Sequence, residues 1–373
     1  MMTDKTGIYI HVPFCLSRCH YCDFCSRTRV DEETRELYVK RLCEEIRAFG
    51  CDRQKRPVAD TVYFGGGTPT LLSPEQFSRI LGAVNDTFGI CDEAEITAET
   101  NPKSADFVKL RDMRSIGINR LSIGMQSVHD NELRALGRIH KHADFLSTYA
   151  DARQAGFDNI SADLMYGITE QTMESFKDSI KALISITPEH ISSYCLTVED
   201  GTNFGRRRDS LVLPDEDAVS EMYIMMTEML RAYGYEKYEI SNFAHNGQVS
   251  RHNLKYWKRE GYIGFGPAAH SFFGGVRFAN SRDVEGYLNG KDIKEYSEIV
   301  GGDDAMDEYV MLGMRLCDGI DIAEFNRLFG VDFMERYGNV FKRFAPEYIS
   351  IDDSRCAFTD KGMFVSNYIL SET

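Results

Sequence analysis

The chain has 373 residues, 43% of them hydrophobic and 27% charged, which suits a globular protein of one large domain with an appendage, or of two domains. A net charge of −15 works against a partner held by phosphate neutralisation, so no nucleic acid is expected, and no apolar run is long enough to span a bilayer. Ten cysteines without framework spacing, and an opening segment that runs into a strand pattern without a basic leader, lead us to expect a reducing, cytoplasmic setting.

In chain order, strand patterns at 7–12, 61–64, 94–98, 120–123, 159–164 and 191–196 alternate with helical patterns at 32–49, 74–88, 105–116, 143–155 and 173–186. Ser73-Pro74-Glu75 reads as an N-cap, a proline at the first helical position and an early acid, while Gly50, Gly89, Gly117 and Gly156 stand where helices should stop. Repeated β–α alternation predicts a parallel sheet covered by helices, and unusual polar residues recur after successive strands, as they do at the C-terminal rim of a barrel. We therefore expect an α/β fold, a full or partial (β/α) barrel, over residues 1–240, with a seventh strand at 235–240 after a helix at 215–233. Residues 241–300, rich in Asn, His, Gly and aromatics, read as an irregular insertion or linker. Residues 301–373 read as three helices and a β-hairpin, a winged-helix-like unit. Its 7 Lys/Arg against 14 Asp/Glu favour a lid or docking module over DNA binding.

Three cysteines, Cys15, Cys19 and Cys22, fall in eight residues after the first strand. Thiolates this close suggest a metal or redox site, and three of them can hold three corners of an iron–sulfur cube with the fourth iron open. Zinc is the rival; it prefers four protein ligands, and only His20 or Cys25 in the same tight loop could supply the fourth.

Cys15-x-x-x-Cys19-x-x-Cys22, preceded by Tyr9-Ile-His-Val-Pro-Phe and with Tyr21 before the third cysteine, resembles the radical S-adenosylmethionine (SAM) superfamily, and within it the HemN/HemW group. The resemblance implies a partial barrel of radical SAM type, a [4Fe-4S] cluster on Cys15, Cys19 and Cys22, and SAM chelating the open iron. One-electron cleavage of SAM then gives a 5′-deoxyadenosyl radical. It further implies SAM contacts from Tyr9, Tyr21, Gly66, Gly67, Thr68, Glu99, Gln126, Arg138 and Asp163. Read as residues alone, the glycines of Gly65-Gly66-Gly67-Thr68-Pro69 permit close backbone approach, Glu99 is a helix-start acid, and Arg138 offers a fork for a carboxylate; the resemblance implies that Glu99 pairs with the SAM ammonium group. The segment after Gly167 departs from the family pattern: Ile168-Thr-Glu-Gln171-Thr replaces the usual Leu-Pro-Gly-Gln-Thr.

Two features choose within the group. The oxygen-independent coproporphyrinogen III dehydrogenases carry a fourth cysteine two residues after the third, where this chain has Phe24, and a longer arm before the first. His252-Asn-Leu-Lys-Tyr256-Trp257 matches the His-Asn-x-x-Tyr-Trp motif of HemW-type proteins, regarded as haem chaperones. His can ligate haem iron and aromatics can cover a porphyrin, while core packing is the plain alternative. The resemblance thus implies haem contacts at His252, Tyr256 and Trp257, haem or porphyrin as cargo, an electron donor protein, and haem-accepting proteins through which any peripheral membrane contact would come. The alternatives are coproporphyrinogen dehydrogenation and radical SAM methyl transfer.

Overall fold

The computed structural model describes residues 5–49 and 57–373, so Gly50 lies outside the described residues. Its centre is an arc of six parallel strands in sequence order: β1 (Lys5–Val12), β2 (Val58–Gly66), β3 (Ile90–Thr100), β4 (Arg120–Gln126), β5 (Ile160–Tyr166) and β6 (His190–Cys195). The crossovers carry helices α1 (Glu32–Ala48), α2 (Pro74–Phe88), α3 (Phe107–Ser115), α4 (Asp130–Ala135), α5 (His142–Gln154) and α6 (Met173–Ile186). Local chemistry sets their limits. Ser73 accepts from the Gln76 amide while the Gln76 side chain accepts from the Ser73 amide, a reciprocal cap that starts α2, and Gly89 ends it at φ 72°.

Every strand sorts its side chains by the two-residue period. Ile8, Ile10 and Val12, Val62 and Phe64, Ile96 and Ala98, Leu121 and Ile123, Ile160, Ala162 and Leu164, and Ile191 are buried in the apolar core with the helices. The alternate positions are polar or aromatic and bond to one another across the concave side: Tyr63 to Glu99, Ser122 to Asp163, Ser161 to His190. An interior lined this way is built to hold something other than packed aliphatics.

Beyond this arc the chain departs from expectation. The anticipated seventh strand is only β7 (Tyr235–Lys237), at the edge of the sheet and antiparallel to β8 (Asn242–His245), which itself pairs antiparallel with β6. The stretch read as an irregular insertion continues the sheet. After a helix at Arg251–Trp257, β9 (Tyr262–Phe265) lies parallel to β1, and β10 (His270–Phe273), β11 (Val276–Asn280) and β12 (Lys294–Ile299) follow as an antiparallel meander. Among the described residues twelve strands thus form one sheet. Each added strand has six residues or fewer, too short to print a period, and β9 takes its partner from the far end of the chain.

The C-terminal unit has helices Gly302–Gly313, Ile322–Phe329, Phe333–Arg336 and Gly338–Phe344 around a three-stranded sheet of Ile320–Asp321, Arg355–Phe358 and Ile349–Ile351, followed by the short helices Asp360–Phe364 and Ser366–Leu370. Four helices form before the hairpin where three are expected, because the stretch 333–344 is interrupted at Tyr337, whose hydroxyl reaches Asp307 on the first helix. The unit seats on the β7 edge: Lys237 pairs with Asp360 at 2.5 Å, and the backbone exchanges Ile240 N–H to Arg315 O (3.0 Å) and Cys317 N–H to Tyr238 O (3.0 Å). Among the described residues no helix is long and apolar enough to cross a membrane.

Candidate functional site

The cysteine loop leaves the end of β1 and is closed at its base by a short parallel pairing of Phe14–Cys15 with Arg27–Thr28. The loop after β2 lies against it. Gly67 N–H donates to Val12 O (2.8 Å) and Thr68 N–H to Phe14 O (2.6 Å), an approach that only a residue without a Cβ permits at position 67. Gly66 has φ 103°, and a Cβ there would meet the His11 ring at 2.6 Å.

Inside this frame lies a cavity of about 560 Å³ at the C-terminal ends of the strands, lined among others by Cys15, Cys19, Cys22, Tyr21, Gly66, Gly67, Glu99, Gln126, Arg138 and Asp163. The three cysteines named from the sequence are thus brought together with seven of the nine residues expected around them. Cys25 does not line the cavity. Its thiol faces Arg282 O at 3.5 Å, and its carbonyl accepts from His11 Nε2 at 2.8 Å. His20 is turned away as well, its Nδ1 donating to Ala135 O at 3.0 Å. Neither completes a four-ligand zinc site.

Two expected contacts lie elsewhere. Thr68 is buried behind the cavity wall, where it donates to Cys15 Sγ (3.6 Å) and accepts from Asn101 Nδ2 (2.8 Å). Tyr9 lies a layer below, its hydroxyl 3.2 Å from His11 Nδ1 and its ring stacked at 6.2 Å on that of Tyr63.

The polar groups of the cavity are tied in two sets. Arg138 donates from Nη1 to Asn101 Oδ1 (2.7 Å) and from Nη2 to the Tyr21 hydroxyl (2.6 Å), so Asn101 joins Arg138 to Thr68 and through it to Cys15. Burial opposes the charge on Arg138, but Tyr21 and Cys19 outweigh it and raise its affinity for the proton. In the second set, Glu99 accepts from the Gly66 amide (3.1 Å) and the Tyr63 hydroxyl (3.0 Å), and Asp163 accepts from Ser122 (2.8 Å). Burial, reinforced by Asp163, pushes the Glu99 carboxyl up to about 7; burial also raises Asp163, against the pull of Ser122 and Arg120. Gln126 holds a left-handed backbone (φ 67°) at a register shift between β4 and β5, a strained geometry that turns it toward the cavity.

Asn101, Tyr63, Ser122, Tyr194 and Cys195 line the cavity without having been singled out from the sequence. The two-residue period would have found Tyr63, which precedes Gly65, and Ser122, which precedes Gly124, on the inward face.

His252, read as a haem contact, lies inside a network of bonds within the protein. It has no exposed surface; Nδ1 lies 2.7 Å from Thr61 Oγ1, Nε2 lies 2.8 Å from the Tyr256 hydroxyl, and its amide donates to Glu95 (3.0 Å). Burial lowers its pKa to about 3, so the ring is neutral and both nitrogens are engaged within the protein. The helix that carries it plugs the end of the arc opposite the cysteines, where it packs on Gly7 of β1. Tyr256 and Trp257 are half-buried on the same helix.

Three thiols, two raised carboxyls and a buried guanidinium around one cavity can hold a metal cluster beside a ligand that has both an ammonium and a carboxylate, and that donor set fits an iron–sulfur cluster with SAM. The chain matches the Radical SAM superfamily over residues 9–183 and the HemN C-terminal domain over residues 301–365. It is 34% identical over 370 residues to the heme chaperone HemW of Bacillus subtilis, covering 97% of each chain. It is also 34% identical to the heme chaperone HemW of Escherichia coli, covering 86% of this chain and 85% of that one. The structure of coproporphyrinogen III oxidase (HemN) from Escherichia coli superposes with a TM-score of 0.85 over 99% of this chain and 90% of that one, at 21% identity, a likeness of fold. Fold and site define a radical SAM protein, a class that implies a [4Fe-4S] cluster and SAM. The chain belongs to the HemW family.

Proposed function

We propose that this chain is a haem chaperone, one that holds haem and passes it to acceptor proteins, with a SAM-bound [4Fe-4S] cluster in its barrel. The observation that carries the reading is likeness to heme chaperones along nearly the whole chain, from the cysteine loop through the C-terminal unit. Phe24 supports it too, since the dehydrogenases of the wider group place a cysteine there.

In this reading Cys15, Cys19 and Cys22 hold the cluster, and Arg138 and Glu99 receive a carboxylate and an ammonium group. Bound there, the cluster and SAM supply one-electron cleavage of a carbon–sulfur bond. The chain's own groups prepare the site. Asn101 fixes Arg138 Nη1, Tyr21 fixes Nη2, and Thr68 donates to Cys15 from the same chain of hydrogen bonds, so the anion-binding fork and the cysteine loop keep a fixed spacing. Glu99 is poised to ionise as an ammonium arrives, which removes the cost of a bare buried carboxylate. An electron donor protein and haem-accepting proteins are the partners this reading requires.

The test is anaerobic. Reconstituted protein is mixed with haem and then with a haem-free acceptor protein, and separately with coproporphyrinogen. Haem taken up and passed to the acceptor is expected. Conversion of coproporphyrinogen to protoporphyrinogen, without haem transfer, would replace this reading with the dehydrogenase.

A further inference from the structure

The barrel interior holds a column of aromatic rings that cluster binding does not require. Tyr63 lines the cavity floor. Its ring lies 5.2 Å from His252, stacked at 26°, and 6.2 Å from Tyr9, stacked at 24°. His252 in turn meets Tyr256 edge-on at 5.2 Å, and Tyr256 meets Tyr262 edge-on at 4.6 Å. Tyr256 and Tyr262 are half-buried at the far end of the arc, so the column runs from the cavity to the opposite rim. Tyr9 also stacks on the His252 ring at 6.4 Å and 29°.

Three of these phenols each lie within hydrogen-bond distance of a carboxylate or an imidazole. Tyr63 donates to Glu99 Oε1 at 3.0 Å. Tyr9 lies 3.2 Å from His11 Nδ1, which must accept, because His11 Nε2 is committed to the Cys25 carbonyl at 2.8 Å. Tyr256 lies 2.8 Å from His252 Nε2, with Thr61 on the other ring nitrogen at 2.7 Å. Stacking alone would not need this pairing. A phenol that loses an electron becomes a strong acid, and a waiting base lets the proton leave and return with the electron.

We propose that Tyr63, Tyr9, Tyr256 and Tyr262, with His252 packed among them, form a hole-transfer ladder that carries an oxidising equivalent from the cavity to the outer end of the barrel. The proposal rests on the radical SAM reading for its oxidant, a carbon-centred radical formed in the cavity when no substrate takes it. That radical takes the phenolic hydrogen atom of Tyr63: the O–H bond breaks, a C–H bond forms, and a neutral phenoxyl radical remains. When the hole moves on, Tyr63 regains an electron from Tyr9 and a proton from cavity water, while Tyr9 gives its proton to His11. Tyr9 then regains an electron from Tyr256 and its proton from His11, while Tyr256 gives its proton to His252. Tyr256 in turn regains an electron from Tyr262 and its proton from His252, while half-buried Tyr262 releases its proton to water at the rim. There a low-potential one-electron donor, of the kind that reduces the cluster, and a proton from water restore Tyr262. The ladder protects the site from its own radical, and it gives Tyr256 of the His-Asn-x-x-Tyr-Trp motif a role that does not need a haem ligand.

Two measurements test it. The first uses protein without cofactors. Trp257 is the chain's single tryptophan and the neighbour of Tyr256. Pulse radiolysis with azide radicals oxidises tryptophan, and the indolyl band should decay into a phenoxyl band with a first-order rate independent of protein concentration. Tyr256→Phe should slow that step; an unchanged rate in the variant would overturn the proposal. The second uses the reconstituted protein with SAM and a chemical reductant, freeze-quenched for electron paramagnetic resonance. A tyrosyl signal that narrows in protein grown on ring-deuterated tyrosine is expected, and Tyr63→Phe should lose it while a change at the exposed Tyr233, Tyr233→Phe, keeps it. If 5′-deoxyadenosine forms and no tyrosyl signal appears, the ladder is overturned and the radical SAM reading stands. If no 5′-deoxyadenosine forms at all, the radical SAM reading fails and takes the ladder's oxidant with it.

Discussion

A Cβ on Gly67 would sit 2.5 Å from the carbonyl oxygen of Phe14 and 2.9 Å from its nitrogen, so the loop after β2 and the residue before Cys15 are fitted backbone to backbone. Neither obstructing atom belongs to a flexible side chain. Gly67→Ala must therefore push the two loops apart, at a cost of about 1–3 kcal/mol, as for other overpacked sites. The expected outcome is a lower melting temperature and a fall in iron retained after anaerobic reconstitution. Wild-type iron content in the variant would show that the cysteine loop does not depend on this contact.

Of the four cysteines in the loop after β1, three enter the cavity and the fourth does not, while Cys195 reaches it from β6. Cys15, Cys19 and Cys22 line it, while Cys25 faces Arg282. The triple Cys15→Ala, Cys19→Ala, Cys22→Ala variant should bind no cluster, and Cys25→Ser should keep a four-iron absorption spectrum and the parent's iron content. Loss of iron in the Cys25→Ser variant would overturn the three-ligand assignment.

Glu99 makes a prediction about pH. Its carboxyl stands near 7 in the folded protein against an ordinary value of 4.5, so between those values the folded state holds the extra proton. This contribution is full below the unfolded value and is lost as pH rises through 7. At about 1.4 kcal/mol per pH unit, ionising it costs the ligand-free protein roughly 3 kcal/mol above pH 7. Glu99→Gln should then melt above the parent at pH 8 and converge with it toward pH 5. SAM affinity of the parent should rise with pH through 7, because an ammonium partner favours the ionised form, and that rise should vanish in the variant.

His252 is a core residue by every contact it makes. His252→Ala would open a cavity beside Tyr63 and leave the Thr61 and Tyr256 hydroxyls unpaired. We expect a loss of about 2–4 kcal/mol in unfolding free energy by denaturant titration. The folded fraction should bind haem as the parent does. A selective loss of haem binding at unchanged stability would restore the ligand role to this histidine.

How far the sequence could be read differs between the two halves of the sheet. β1 to β5 each alternate an apolar outward set with a largely polar inward set, and the helices after β1, β2, β3 and β5 start at side-chain caps, so period and punctuation agreed. Glu99, Gln126, Arg138 and Asp163 could be placed on one rim because they follow successive strands. β8 to β12 escaped because they are short and paired with strands distant in sequence, β9 with β1 above all. Asn101 was hidden differently. An asparagine beside a proline reads as a turn, and nothing local tells that both ends of its amide are spent on Arg138 and Thr68. His252 is a related case: a histidine flanked by aromatics suggests a ligand, but whether its nitrogens are free depends on Thr61 and Tyr256, which the fold brings to it.

The pairing of β1 with β9 sets Gly7 beside Tyr262, and Arg282 holds Asp23 from later still. On the ribosome, β1 stays a bare edge until most of the chain has emerged, and the loop after it has nothing to brace it on that side. The order of strands in this sheet therefore leaves that flank of the cysteine loop uncovered until late in translation.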